Sequence, residues 1–424
     1  MYTYIKNGTV IDERKNILIN GDRIQTITDE DISSSLPLST QVIDAKDRLI
    51  LPGIIDVHVH FREPGGEQKA DMSTESAAAL RGGVTTVCDM PNNTPSIVDK
   101  QTFFSKLESA KQKMKCNFRL FLGLTNDNIP QALDFDNEYL AGLKLFLGSS
   151  TGNLLVDNAD MIEYLFKNAK QKLIVAHCED EKTILRNKLL CQGLNPLPYN
   201  IHALIRDTEV CYRSSSFAVR LAEKYNTNFH VAHLTTEKEI SLFSSQDLKD
   251  KNITCEVSPN HLYFYDEDYR TYNNLIKCNP SIKTLADRTA LRNALRDGYI
   301  DIVATDHAPH LLAEKQKDYF SAPSGIPSIQ FSLLMMLEIA AQEGWPMRLI
   351  ADKMCKNPAI RFGFKDRGEI LPGYFADLVI INPNKTTLVS KDIILSKCQF
   401  SHLLGHTFTN YIETTILNGK PIYY

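Results

Sequence analysis

A chain of 424 residues exceeds what one small core organises, and points to a large domain with a smaller companion. Its 43% hydrophobic and 23% charged residues are ordinary for a soluble globular protein, and a net charge of -4 gives no electrostatic case for a nucleic-acid partner. No apolar run is long enough to span a bilayer, and the opening Met1–Lys6 does not read as a signal peptide, so neither a membrane partner nor export is expected. The nine cysteines are scattered, with no Cys-x-x-Cys pair, which reads as reduced thiols in a cytoplasmic protein. Cys178 and Cys255 fall near polar candidates below and read as small buried hydrophobes.

Residues 2–50 read as short strands and turns, with Asn7-Gly8 and Asn20-Gly21-Asp22 as hairpin turns. From residue 54 short apolar runs alternate with helical patterns, as in a parallel α/β sheet. Eight runs stand out: 54–60, 84–88, 118–123, 141–147, 172–177, 228–233, 252–257 and 300–306. Helical patterns lie between most of them, at 71–81, 99–113, 158–170, 208–225 and 285–297, and the helix-rich 327–356 follows. Eight strand–helix units fit a (β/α)8 barrel of the TIM type over 53–363. After Gly363 the chain turns strand-like again, in Leu378–Ile381 and in the hairpin-like Thr415–Lys420. The simplest account pairs residues 1–52 with 364–424 in one small β-sandwich-like domain beside the barrel.

A barrel of this type carries its active site at the C-terminal strand ends. The first run ends in Val57-His58-Val59-His60, two imidazoles two residues apart on one strand face, a chelating pair for zinc or a similar ion. Arg62 follows at once and adds a planar cation suited to a carboxylate. The fourth run holds Lys144 inside an apolar strand, where an unpaired ammonium is costly. A neutral amine there could take up carbon dioxide and become a carbamate, an anionic oxygen donor. The fifth run ends in His177, the sixth in His233 and the eighth in Asp306. Asp306 suits a metal ligand that is also the proton carrier. His230, three residues before His233, is expected on the opposite strand face against a helix. His307 should point away from Asp306, while His310 lies in the next loop within reach of a ligand. His202, His261, His402 and His406 have no supporting pattern.

With these residues assembled, the chain resembles the cyclic amidohydrolases, and among them the dihydroorotases. The resemblance runs over essentially the whole length. It is carried by His58-Val59-His60-Phe61-Arg62-Glu63-Pro64-Gly65, Asp89-Met90-Pro91-Asn92-Asn93-Thr94-Pro95, Gly142-Leu143-Lys144-Leu145-Phe146 and Ala304-Thr305-Asp306-His307-Ala308-Pro309-His310. It implies two zinc ions held by His58, His60, Lys144, His177, His233 and Asp306, with Lys144 as the bridging N-carboxylysine. It also implies Arg62, Asn92 and His310 on the substrate carboxylate, Asn279 as a further pyrimidine-binding position, and Pro323 and Gly325 in a substrate-binding Pro-x-Gly segment. The implied reaction is reversible hydrolysis of (S)-dihydroorotate to N-carbamoyl-L-aspartate, a step of pyrimidine synthesis, with Asp306 moving the proton. Two motifs depart from the pattern. Asn279-Pro280-Ser281 stands where many relatives read Asn-Pro-Pro, and some bacterial relatives bridge the metals with aspartate. Glu256 matches a position linked to an extra metal in some relatives, and is read here as structural or supporting. An allantoinase or hydantoinase would share the metal site and Arg62–Gly65, and the Met90-Pro91-Asn92 loop discriminates against the former. A scaffold without activity is disfavoured by retention of all six ligand types. A small molecule is thus the expected partner; nothing in the sequence sets the oligomeric state, and a homodimer stays open.

Overall fold

The computed structural model describes residues 2–148 and 154–424. Each of the eight apolar runs contains a strand: Ile54–Val59, Val84–Asp89, Asn117–Gly123, Leu140–Phe146, Ile174–His177, Phe229–Val231, Ile253–Val257 and Ile302–Val303. Each pairs in parallel with the next in chain order. A bridge between Val59 and His307, with the His60 N–H donating to the His307 carbonyl at 2.8 Å, brings the last strand back to the first. Most of these strands are buried on both faces, which is why they read as nearly continuous apolar runs.

The expected helices form within two residues of their predicted ends, at Met72–Arg81, Lys100–Lys113, Ala159–Asn168, Thr208–Tyr225 and Leu285–Arg296. Their starts are set by capping side chains. Asp71, Asp99, Asn158, Asp207 and Thr284 each accept a backbone N–H of the first turn. The closing segment supplies Ser332–Glu343, Met347–Ala351 and Asn357–Phe362. The last of these sets Phe362 under the barrel, where it packs with Ile55, Val57, Phe121, Val175 and Ile302. The lower barrel is therefore a filled core, and only the opposite rim is left to line a cavity.

The two ends of the chain meet in a second eight-stranded sheet. Leu49–Pro52 joins them: it runs parallel to Tyr2–Val10 and antiparallel to Leu378–Asn382. Ile5, Ile17, Ile19, Ile50, Leu378 and Ile416 form its apolar core. Asn7-Gly8 is not a turn. Both residues lie inside Tyr2–Val10, at a register shift between Ile5 and Gly8, and Asn7 has φ +66°. A left-handed residue serves a bulge as well as a hairpin, so the dipeptide alone did not separate the two. Gly8 is required for another reason, since a Cβ there would lie 2.2 Å from the Ile50 side chain.

Asn418 and Gly419, at φ +47° and +76°, turn the final hairpin between Tyr411–Leu417 and Lys420–Tyr423. A Cβ on Gly419 would sit 2.0 Å from the Gly21 carbonyl oxygen, so this hairpin tip docks on the turn of the N-terminal strands. Gly419→Ala should lower stability by about 2 kcal/mol, through the positive φ and the backbone collision together. Thermal unfolding reads this as a lower Tm.

Candidate active site and metal centre

His58 and His60 leave the first strand toward the barrel mouth. The His58 Nδ1 pairs with Glu256, and the His60 Nδ1–H donates to the carboxamide oxygen of Asn92 at 2.6 Å. Those contacts turn both Nε2 atoms toward Asp306, whose Oδ1 lies 3.4 Å from His58 Nε2 and 3.0 Å from His60 Nε2. Ligand atoms of these three residues all lie within 4.8 Å of one another. Two imidazole Nε2 atoms and a carboxylate oxygen thus converge, an arrangement that a cation satisfies.

A second pair stands beside the first. His177 Nε2 is held by Glu179 at 2.8 Å, and Glu179 is in turn paired with Arg206. This aims His177 Nδ1 at His233 Nε2, 3.0 Å away. The His58 and His233 rings lie 5.3 Å apart, so the two pairs are neighbours. Lys144 enters from the fourth strand, fully buried, and its Nζ has no hydrogen-bond partner among the described residues. Burial brings its amine down to about 8 against the pull of Glu256 and Asp306. Burial also lowers His60 to about 4 and His233 well below the usual imidazole value, so both are neutral donors near neutral pH. For Asp306 burial acts upward, but His58, His60 and Lys144 outweigh it and hold the carboxyl at about 2. Neutral imidazoles, an anionic carboxylate and an amine poised to lose its proton are a donor set that fits divalent metal.

Arg62, His233 and Asp306 share a backbone feature. Their φ angles are +65°, +39° and +50°, in the left-handed region that non-glycine residues seldom adopt. All three lie where the chain leaves a barrel strand and must redirect a side chain into the mouth.

The opposite wall is built from loops. Arg62 Nε donates to the Pro309 carbonyl at 3.1 Å, and its Nη2 lies 3.0 Å from His310 Nε2. Burial, helped by Arg62 and Lys69, takes His310 to about 2 and keeps it neutral. Asn279 presents a buried Oδ1 without a partner among the described residues. Gly325 lies at φ +143°, and a Cβ there would meet the Ala308 carbonyl at 2.5 Å and the His310 ring at 2.9 Å. All twelve residues singled out from the sequence line one cavity of about 310 Å³, a volume suited to a small ring. Phe146, Ala308 and Ser324 complete its wall.

Several supporting groups had little or no sequence signal. Lys106 is buried on Asp89 at 2.8 Å and bonds Met90 O and Asn93 Oδ1, which sets the loop carrying Asn92. Lys315 donates to the carbonyls of Lys277, Pro323 and Gly325 at 2.9, 3.0 and 2.9 Å, tying the two loops of the far wall together. Glu179 could have been noticed, two residues after His177; Arg206 could not. His230 corrects an expectation. It packs against a helix as expected, edge-on to Phe362, but does so from within the barrel, bonded to Thr254 and Glu256, rather than on the face opposite His233. The strand ends at Val231 and His233 has positive φ, so alternation does not carry through to His233. Glu256 takes the supporting place expected of it, against His58, His230 and the His233 N–H. His307 turns away from Asp306, as expected, and bonds Glu75 at 2.9 Å.

The amidohydrolase family model matches residues 49–422. The dihydroorotase of Ligilactobacillus salivarius (strain UCC118) is 32% identical, over 100% of this chain and 99% of its own length. That of Bacillus subtilis (strain 168) is also 32% identical, over 99% of this chain and 97% of its own. The dihydroorotase of Methanosarcina mazei is 33% identical, over 91% and 86%. Among solved structures, the L-hydantoinase of Arthrobacter aurescens superposes with a TM-score of 0.93 at 23% identity, covering 100% of this chain and 96% of that one, a likeness of fold. A match that runs from Leu49 in the second sheet, through the whole barrel, to Ile422 in the last hairpin leaves one conclusion: the chain belongs to the amidohydrolase family.

Proposed function

We propose that this protein is a metal-dependent dihydroorotase that hydrolyses the ring amide of (S)-dihydroorotate, reversibly, to N-carbamoyl-L-aspartate. The observation that carries this reading is the two-ended cavity. The donor set of His58, His60 and Asp306 stands at one end, and Arg62 with His310 stands at the other. The full-length dihydroorotase relatives support it. In this reading His58, His60 and Asp306 would hold one zinc ion and His177 and His233 a second, with Lys144, as a carbamate, supplying an anionic oxygen donor to both. Bound metal there supplies a Lewis acid and a water of lowered pKa. Arg62, Asn92 and His310 hold the ring carboxylate, while Asn279, Pro323 and Gly325 line the pyrimidine ring. Asp306 takes a proton from the attacking water as its oxygen bonds the ring carbonyl carbon. It then hands that proton to the ring nitrogen as the C–N bond breaks. The barrel, residues 53–363, is the hydrolase, and residues 1–52 with 364–424 form its companion domain in the cytoplasm.

Lys144→Ala should lose most bound metal and activity, and short carboxylic acids at high concentration should partly restore both. Metal analysis beside turnover decides this, and full metal content with normal turnover would remove the carbamate. Asp306→Asn keeps the shape but not the basicity, so kcat should fall by on the order of 10²-fold or more. Metal content is measured alongside, because near-normal kcat with metal intact would take proton transfer away from Asp306.

The substrate assignment is tested through Arg62. A guanidinium prepared for a carboxylate is left unpaired by a neutral ring, which is costly. Arg62→Met should lose far more kcat/KM on dihydroorotate than on allantoin or hydantoin, with unchanged metal content. Wild-type preference for either neutral ring would replace the dihydroorotase reading with that of another cyclic amidase.

A further inference from the structure

His310 is held from two sides. Its Nδ1 lies 3.1 Å from the Lys69 ammonium, and its Nε2 lies 3.1 Å from the Ser324 carbonyl oxygen. An ammonium only donates and a carbonyl only accepts. Both contacts therefore specify the same tautomer, with the lone pair on Nδ1 and the proton on Nε2. Lys69 is itself held by Glu314 at 3.3 Å.

This tautomer changes the meaning of the 3.0 Å approach between Arg62 Nη2 and His310 Nε2. Both atoms are then donors, so no hydrogen bond joins them. The Arg62 N–H and the Nε2–H, which the Ser324 carbonyl shares, stand side by side at the cavity wall, and an acceptor group there takes from both. The other tautomer would put a lone pair on Nε2. It would capture the Arg62 proton, face the Ser324 carbonyl with like charge, and repel a carboxylate. Glu314 Oε2, 3.6 Å from His310 Nδ1, would favour that state if Lys69 were absent. Burial is the main cause that keeps the ring neutral, with Arg62 and then Lys69 adding to it, and between the two neutral tautomers the Lys69 contact selects the one with the Nδ1 lone pair.

We propose that Lys69 is a positioning residue for substrate recognition: steadied by Glu314, it fixes His310 with its proton on Nε2, so that His310 and Arg62 offer adjacent donors to one carboxylate. The proposal rests on the reading of Arg62 and His310 as the groups that hold the substrate carboxylate. It adds a residue that touches neither metal ligand nor substrate.

The test combines kinetics with ¹⁵N NMR of histidine-labelled protein, the His310 signals being assigned by their loss in His310→Ala. Lys69→Met should raise KM for dihydroorotate about tenfold or more, the scale of one charge-assisted hydrogen bond, with kcat changed by less than about threefold. Bound metal should not change. The His310 proton should move from Nε2 to Nδ1, and Lys69→Arg, which keeps a donor, should restore both KM and the Nε2–H form. A His310 that keeps its Nε2 proton in Lys69→Met, or a KM within about twofold of wild type, would overturn the proposal. A wild type without dihydroorotate turnover would overturn the functional reading instead, and the NMR arm alone would then decide the role of Lys69.

Discussion

The Asp56 carboxylate is buried between the first and eighth barrel strands, where it accepts the N–H of His58 at 3.2 Å, the N–H of Thr305 at 3.1 Å and the Thr305 hydroxyl at 2.6 Å. Beside it, the His60 N–H reaches the His307 carbonyl. These contacts join residues nearly 250 positions apart in the chain, and both ends of the cavity depend on them. His58 and His60 meet Asp306 only because this seam is in register. Arg62 reaches Pro309 and His310 for the same reason, a few residues further along both strands. Burial lifts the Asp56 carboxyl to about 6, so the seam is held by a group that is itself expensive to bury. Three donors offset part of that cost and leave the two strands one way to fit.

Desolvation acts in the same sense on His60, His233 and Lys144. It takes protons off the two imidazoles, leaving lone pairs where a cation is to be held, and brings the amine down to about 8, within reach of losing its own. The outer ring nitrogens show the counterpart. Glu256, Glu179 and Asn92 each take one, so the imidazoles cannot rotate away. The inner geometry of His58, His60 and His177 is thus set by contacts on the far side of each ring.

Much of this was legible in the sequence, for a physical reason. A strand buried on both faces is almost wholly apolar, so a polar residue at its end stands out, as His177, His233 and Asp306 do. Lys144 stands out for the same reason. The reading weakened where local backbone departs from regular geometry. His230 was placed on the wrong face because alternation was carried past Val231, the last strand residue. Asn7-Gly8 was read as a turn because a bulge uses the same residue types. Lys69, Lys106, Arg206 and Lys315 lie off the barrel strands, in loops or helices, among other charged residues of ordinary appearance. Their roles come from tertiary contacts with Glu314, Asp89, Glu179 and three backbone carbonyls, and no spacing in the chain encodes those.

The two ends of the cavity are made of different materials, and each suits its task. The metal end is carried mainly by strand termini, whose positions are fixed by the barrel, as a coordination sphere requires. The other end is carried by loops, and loops need their own scaffolding. Buried cations supply it: Lys106 and Lys315 gather backbone carbonyls, and Arg62 spends its Nε on Pro309. Arg62 thus presents a guanidinium on this wall, while Asp306 stands at the other end between His58 and His60. In the proposed reading, a ring whose carboxylate meets Arg62 turns its amide toward His58, His60 and Asp306, at the opposite end of the same cavity.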